Sequence, residues 1–478
     1  MKVNTEIVKE ILNEVTFYND VKSKYVVYAE YKKPNGKTYL CDIESEEFQA
    51  FLRIEYAYEL QEDVELPVRP ILRTIHDKAL YYEDIQCISV NYRVVGSLKE
   101  GIEYFLADSE QRVVQITDKG WEVTTEKVHK FLYREGTLKR DVPMESTTGI
   151  FDLLQPFVNI SGSNFKLFVI WLIQAFSGGS HYCLFVSAER GSGKSMLTHI
   201  INKLLDPSPA ETCAMPNNKD DLETFLSSCY LASFDNIDQI SKDYSDTFCV
   251  SVTGGVVSRR KKFSDSQMVY LPIHNVLVFN GIGIAPSESD LAERSLFFPM
   301  KKLTGSELKT EAEIYESFEA VKPQILGCIF ETLSKAMAIM DNLKPKKLPR
   351  MADAYVEMLA IASVLGISNK DYDEMLNANI KAMDKECATN PLVEAIAEYM
   401  TKTGCRKLEG TSTEVFEKIR ARYSGKSSLL PPTASMFGKK LKQMEAPLKA
   451  MGYHFLIDDT GAKANKITII KNKNVDKK

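Results

Sequence analysis

Residues 188–195 read AERGSGKS, and their types and spacing suit one chemistry, the holding of a phosphate chain. Gly191 and Gly193 let the backbone curl so that N–H groups along Ala188, Glu189, Arg190, Gly191, Ser192 and Gly193 face inward. Lys194 is placed to reach the β- and γ-phosphates, and the Ser195 hydroxyl to ligate Mg²⁺. Ala188 stands where the first glycine of such a loop is usual. The expected ligands are ATP and Mg²⁺.

A metal on a triphosphate needs a second protein ligand, and a carboxylate closing a buried strand supplies it. Asp235 closes the apolar run 229–234, CYLASF. In many ATPases of this kind the following residue is an acid that orients the attacking water, but here it is Asn236. Asp238 is the nearest carboxylate and Glu189 a second candidate. Asn280 ends the run VLVFN, where an amide can orient water or sense the γ-phosphate. Arg294, on the segment beyond, can project to the nucleotide of a neighbouring subunit.

The elements that must position these groups are legible around them. Residues 182–186 form a short apolar run of strand type, and Met196, Leu197, Ile200, Ile201, Leu204 and Leu205 recur at helical spacing. The helix starting at the loop adds its positive dipole end to the phosphate site. Residues 252–273 read as a hairpin with its turn at 264–267 and a basic run, Arg259, Arg260, Lys261 and Lys262, on its first strand. Helices are expected over 149–177. The longest apolar stretch, 168–176, is too short to span a bilayer, includes Gln174 and is expected as a buried helix.

A chain of 478 residues exceeds one hydrophobic core and suggests about three domains. Its 44% hydrophobic and 26% charged residues are ordinary for a soluble globular protein. The net charge of −5 hides an asymmetry: residues 401–478 hold 17 Lys and Arg against 7 Asp and Glu. A polyanionic partner is therefore expected at that end. The nine cysteines are scattered without a C-x-x-C pair, which points to reduced thiols of a cytoplasmic protein and to no zinc site. The first 15 residues are amphipathic and mixed in charge, unlike a signal peptide.

Residues 1–140 alternate short strand-like runs with turns, at Pro34, Asn35, Gly36 and Lys37 and again at Asp118, Lys119 and Gly120. They read as an accessory α+β domain, with Trp121 a core residue before a base-stacking platform. The polar stretch 138–147, with Pro143, marks its boundary. Residues 344–353 read as a basic, proline-bearing linker, followed by a helical connector. From 390 onward three helices are followed by two strands, the winged-helix pattern. Ser435, Lys439, Lys440 and Lys442 fall on its third helix, and Lys463 and Lys466 on its wing. DNA binding is the expected role and protein interaction the alternative.

In order, AERGSGKS, SFDNID, TGGVVSRRKKF, VLVFNGI and DLAERSLFF resemble the motifs of the AAA+ ATPases known as superfamily 3 helicases. Within that group the chain is similar to the MCM-like replicative helicases of phages and mobile genetic elements, such as the Rep and cassette self-loading helicases of staphylococcal chromosomal islands. The resemblance covers residues 149 to the end. It implies an α/β AAA+ P-loop core over 141–340, a connector over 341–389 and a winged-helix domain over 390–478. It also implies an ATP-dependent helicase working on single- and double-stranded DNA as a homo-oligomeric ring, a hexamer, with no membrane partner. On this resemblance Asn280 is the sensor and Arg294 the arginine finger. Lys261 and Lys262 lie on the pore hairpin that grips single-stranded DNA, while Arg259 and Arg260 serve there or at the subunit interface. The rival readings are a non-translocating ATPase switch or loader, for which Asn236 is the best argument, and a DNA-binding regulator with a decayed ATPase site. A fused primase finds no carboxylate pattern in residues 1–140.

Overall fold

Four runs rich in branched and aromatic residues, Leu231–Phe234, Val276–Gly281, Cys183–Ala188 and Ser295–Met300, form a wholly parallel sheet in that spatial order. Parallel sheets are covered by helices on both faces, and the first three strands are buried along their whole length. This computed structural model describes residues 3–472 apart from 22–24, 63, 83, 134–136, 190, 238–239, 261–267, 287, 305–308, 346, 389–390, 425–429, 445–447, 450 and 459–465.

Side chains alternate between the faces of a strand, and the two faces have different tasks. On one face Phe185 stacks on Phe279 and Phe279 on Phe234, with ring centroids 4.8 and 5.5 Å apart. Phe248 of the Lys242–Thr253 helix closes that cluster, 4.9 Å from Phe279. Asn280 points the other way, to the Lys194–Leu205 helix. The Gly162–Gln174 helix, whose residues 167–174 are all buried, packs in the same core. Among the described residues no single helix is long and apolar enough to cross a membrane.

The core of this central unit extends both ways along the chain. The long Glu311–Met340 helix opens on a capping box between Thr310 and Glu313. It approaches the preceding segment so closely that a Cβ on Gly327 would stand 1.9 Å from the Met144 carbonyl oxygen. An antiparallel meander, Val94–Ser97, Gly101–Phe105, Val113–Thr117 and Gly120–Thr124, contributes Val94, Ile102, Tyr104, Val114 and Ile116 to the same core. Trp121 is half-buried and packs its ring against Phe330 of the long helix, at the edge of this core. The Ala352–Val364 and Asn369–Ala388 helices complete the unit.

A buried charge cluster ties the meander to the phosphate-loop helix. Asp206, just past that helix, accepts from Arg93 Nε at 2.5 Å and from Arg140 Nη2 at 3.2 Å. Its second oxygen accepts from the backbone N–H groups of Tyr230 and Leu231 at 3.2 and 3.3 Å. Tyr104 joins by donating to the Leu204 carbonyl at 2.8 Å.

Two smaller cores flank the central one. Strands Thr38–Asp42, Val27–Lys32, Thr16–Asp20 and Cys87–Ile88 form a sheet in that order, backed by the Thr5–Asn13, Glu46–Leu60 and Val68–Tyr81 helices. Toward the carboxyl end, the Pro391–Thr403, Ser412–Arg420 and Ala434–Gln443 helices pack on a sheet ordered Lys407–Thr411, Lys466–Lys471, Tyr453–Asp458.

Candidate functional site

The turn from the Cys183–Ala188 strand into the Lys194–Leu205 helix needs two left-handed residues, and glycine takes that conformation at little cost. Gly191 has φ +78° and Gly193 φ +81°. The loop is held from outside. Asn159 donates to the Ser192 carbonyl at 2.9 Å and to the Lys301 carbonyl at 2.7 Å, and Leu303 N–H donates to the Gly191 carbonyl at 3.1 Å. The helix starts without a side-chain cap, so its first N–H groups remain for an anion. Ser192 Oγ is buried without a protein partner, as a loop that lacks its ligand would leave it. The donor set of loop amides, the Lys194 ammonium and the Ser195 hydroxyl fits a magnesium-bound triphosphate.

Asp235 and Asn280 converge on the same end of the sheet. Asp235 N–H is fixed by the Cys213 carbonyl at 3.0 Å. Asn236 is exposed with φ +54°, and its N–H donates to Asn280 Oδ1 at 3.1 Å. Asn280, fully buried, donates through Nδ2 to Thr198 Oγ1 at 3.0 Å, and Thr198 in turn donates to the Lys194 carbonyl at 3.1 Å. One amide thus links the helix of the phosphate loop to the turn that presents Asp235. Gly281 allows this approach, since a Cβ there would stand 2.2 Å from the Ile237 carbonyl oxygen. The Asn280 strand lies between the loop strand and the Asp235 strand. Glu189 is exposed on the loop, while Arg190 and Asp238 lie outside the described residues.

Arg294 lies at the opposite end of the sheet. Its carbonyl accepts from Cys183 N–H at 2.8 Å, so it sits beside the start of the loop strand. Six residues of strand, about 17 Å, separate it from Ala188. It cannot reach the phosphate loop of its own chain. Its guanidinium pairs with Asp290 at 2.6 Å and donates to the Asp290 carbonyl at 2.9 Å. Arg350 also pairs with Asp290, and with Glu293 at 2.9 Å. Burial works against the Asp290 carboxylate, but bonds from Arg294 and the Cys249 thiol, with the charge of Arg350, hold it below its ordinary range. Burial and the bond to Asp290 push the Cys249 thiol up to about 12.

Arg259 and Arg260 of the basic run lie on Gly255–Arg260, a strand paired antiparallel with Met268–Ile273, while the expected turn at 264–267 falls outside the described residues. Lys261 and Lys262 lie outside the described residues. Arg259 is turned to its own chain, donating to the Asp220 carbonyl at 2.8 Å and to Thr224 Oγ1 at 2.7 Å, whereas Arg260 is exposed. Val256, Met268 and Tyr270 are also exposed along the two strands. On the Ala434–Gln443 helix Ser435, Lys439 and Lys442 are exposed and Lys440 half-buried. Lys466 is exposed but shares Glu409 with Lys407, and these two ammonium groups pull the Glu409 carboxyl down to about 2. Lys463 lies outside the described residues.

Sequence reading missed Thr198, Asn159 and Arg350. Thr198 carries a usable signal, standing one helical turn after Lys194. Asn159 and Arg350 carry none, because both act across long sequence separations.

The model of a family described as the actinomycete integrative conjugative element replication protein matches residues 151–372. No curated protein matches the chain. Among solved structures, the chain is similar to the SCCmec type IV Cch active helicase, at 13% identity over 96% of this chain and 92% of that one, with a TM-score of 0.40. It is also similar to the apo form of the NrS-1 C-terminal region 305–718, at 12% identity over 98% of both chains, with a TM-score of 0.34. Identities and scores this low transfer no role to any residue.

Proposed function

We propose that this protein is an ATP-dependent DNA helicase of replicative or initiator type from a mobile genetic element, with an AAA+ core that translocates on single-stranded DNA as a ring. The observation that carries the reading is Asn280, which bonds both the helix of the phosphate loop and the turn presenting Asp235. Loop amides and Lys194 would hold the phosphates, and Ser195 and Asp235 the Mg²⁺. Bound there, the ion would neutralise charge developing on the phosphates. Arg294, too far from its own loop, would act on the nucleotide of the adjacent subunit once freed from Asp290. The match to a replication-protein family over 151–372 supports the replicative assignment. The proposed division is 1–140 accessory, 141–340 ATPase, 341–389 connector and 390–478 winged helix, with strands 94–124 of the first segment and the 352–388 helices of the third sharing the core of the ATPase unit; the last would bind duplex DNA through Ser435, Lys439, Lys440 and Lys442.

A second reading, a non-translocating switch or loader, draws on the exposed Asn236 in the place of an acid. Strand displacement on a forked duplex separates the two. Wild type should unwind it only with ATP, and Lys194→Ala should lose at least about a hundredfold in hydrolysis. Hydrolysis without unwinding favours the switch, and equal turnover in both proteins refutes an ATPase.

A further inference from the structure

Hydrolysis of a triphosphate needs a group that orients the attacking water, and a carboxylate can in addition take its proton. Asn236 follows Asp235, and an amide accepts no proton at neutral pH. A carboxylate does arrive at the carboxyl end of the central sheet, from far along the chain. Glu386 Oε1 accepts a hydrogen bond from Ser187 Oγ at 3.2 Å. Ser187 directly precedes Ala188, where the phosphate loop begins, and pairs in register with Gly281, directly after Asn280. The same Oε1 lies 3.9 Å from the position a Cβ on Gly283 would take. One carboxylate oxygen therefore sits between the loop strand and the segment leaving Asn280.

The helix that carries Glu386 is fixed in height against the sheet. Asn379 accepts from Phe297 N–H at 2.9 Å and donates to the Phe297 carbonyl at 2.6 Å. Seven residues of helix from Asn379 to Glu386 rise about 10 Å. Three residues of strand from Phe297 to Met300 also cover about 10 Å. Met300 pairs with Ala188, so both routes bring Glu386 level with the start of the phosphate loop. Glu386 is half-buried there, bonded to Ser187 Oγ and still reachable by water.

We propose that Glu386 is the catalytic carboxylate of ATP hydrolysis, an inference that rests on the ATPase reading above. Glu386 orients a water and accepts its proton while the water oxygen bonds to the γ-phosphorus. The bond from that phosphorus to the β–γ bridging oxygen breaks, its electron pair leaves with ADP, and the products are ADP and inorganic phosphate. No other reactant is needed.

The test uses the full chain carrying Glu386→Gln, beside wild type, Lys194→Ala, Glu189→Gln and Asp238→Asn. Turnover, affinity for a fluorescent ATP analogue with Mg²⁺, and melting temperature are measured on each. Glu386→Gln should lose at least about a hundredfold in turnover while keeping nucleotide affinity and melting temperature. Glu386→Asp, which retains a carboxylate one methylene short, should lose at least about tenfold and still exceed Glu386→Gln. This second variant decides the matter if Glu386→Gln melts early. Turnover near wild type in either variant overturns the assignment. So does nucleotide affinity that falls in step with turnover, or a hundredfold loss found in Glu189→Gln or Asp238→Asn alone. If wild type itself is no faster than Lys194→Ala, the ATPase reading fails first.

Discussion

Asp206→Asn is a stringent test of how the meander is tied to the central unit. The substitution keeps the shape of the side chain and removes a carboxylate charge that two buried guanidinium groups share. Arg93 and Arg140 are 4% and 2% exposed, so water cannot take over from the lost carboxylate. Each also has an Nη1 that is buried without a protein partner, so neither guanidinium is fully satisfied even with Asp206 charged. Breaking a buried pair from one side costs about 3–5 kcal/mol. For a unit of this size that is a fall in melting temperature of roughly 6–20 °C. Acid sensitivity supplies a second readout. Burial alone would raise Asp206, but Arg93 and Arg140 outweigh it and hold the carboxyl below its ordinary value. Burial, with the like charge of Arg140, pulls Arg93 down only to about 10, so it stays charged at neutral pH. A depressed carboxylate stabilises the fold above its unfolded pKa of about 3.9, and that contribution fades as pH falls through the lower folded value. The gap between wild type and Asp206→Asn should be constant from about pH 5 to 8 and narrow below about pH 4. Urea melts across that range would refute the reasoning if the gap is under about 1 kcal/mol at neutral pH, or if it does not narrow in acid.

Gly281→Ala should cost about 1–3 kcal/mol by overpacking and push the Asp235 turn away from Asn280. Its Mg²⁺-dependent nucleotide affinity should fall with it, and unchanged melting and affinity would contradict the close approach to Ile237. Mixing Arg294→Ala with Lys194→Ala protein should restore part of the ATPase activity, because some interfaces then pair an intact loop with an intact arginine. Absence of rescue between subunits shown to exchange counts against action in trans. Replacing Lys261 and Lys262 together by Ala should abolish unwinding and the stimulation of ATPase by single-stranded DNA, with basal hydrolysis kept. Near-normal unwinding would make them a solvated surface, and a basal loss like that of Lys194→Ala would move them to the subunit interface.

Local chemistry was legible in the sequence because it is encoded within a few residues. The apolar spacing from Met196 to Leu205 matches the Lys194–Leu205 helix. The turn at Pro34 to Lys37 joins the Val27–Lys32 and Thr38–Asp42 strands, and that at Asp118 to Gly120 joins Val113–Thr117 to Gly120–Thr124. The long-range pairings were not legible. Arg140 falls in a polar, proline-bearing stretch that reads as solvated, yet it is buried against Asp206, 66 residues later. Asn379 and Glu386 sit on a helix whose polar residues give no sign that two of them face the sheet. Strand order was hidden too, since nothing in sequence order places the Asn280 strand between those of the loop and Asp235.

The clasp of Asn379 on Phe297 also has a bearing on how the chain is made. An outer strand with unpaired backbone groups is a template for other strands, and here the cover for the Ser295–Met300 strand arrives 82 residues later. At usual rates of synthesis of about 5–20 residues per second, that strand waits roughly 4–16 s for its cover. During this interval the nascent chain exposes the hydrophobic run SLFFPM. Ribosome-associated chaperones would find their binding window there, closing as the Asn369–Ala388 helix emerges.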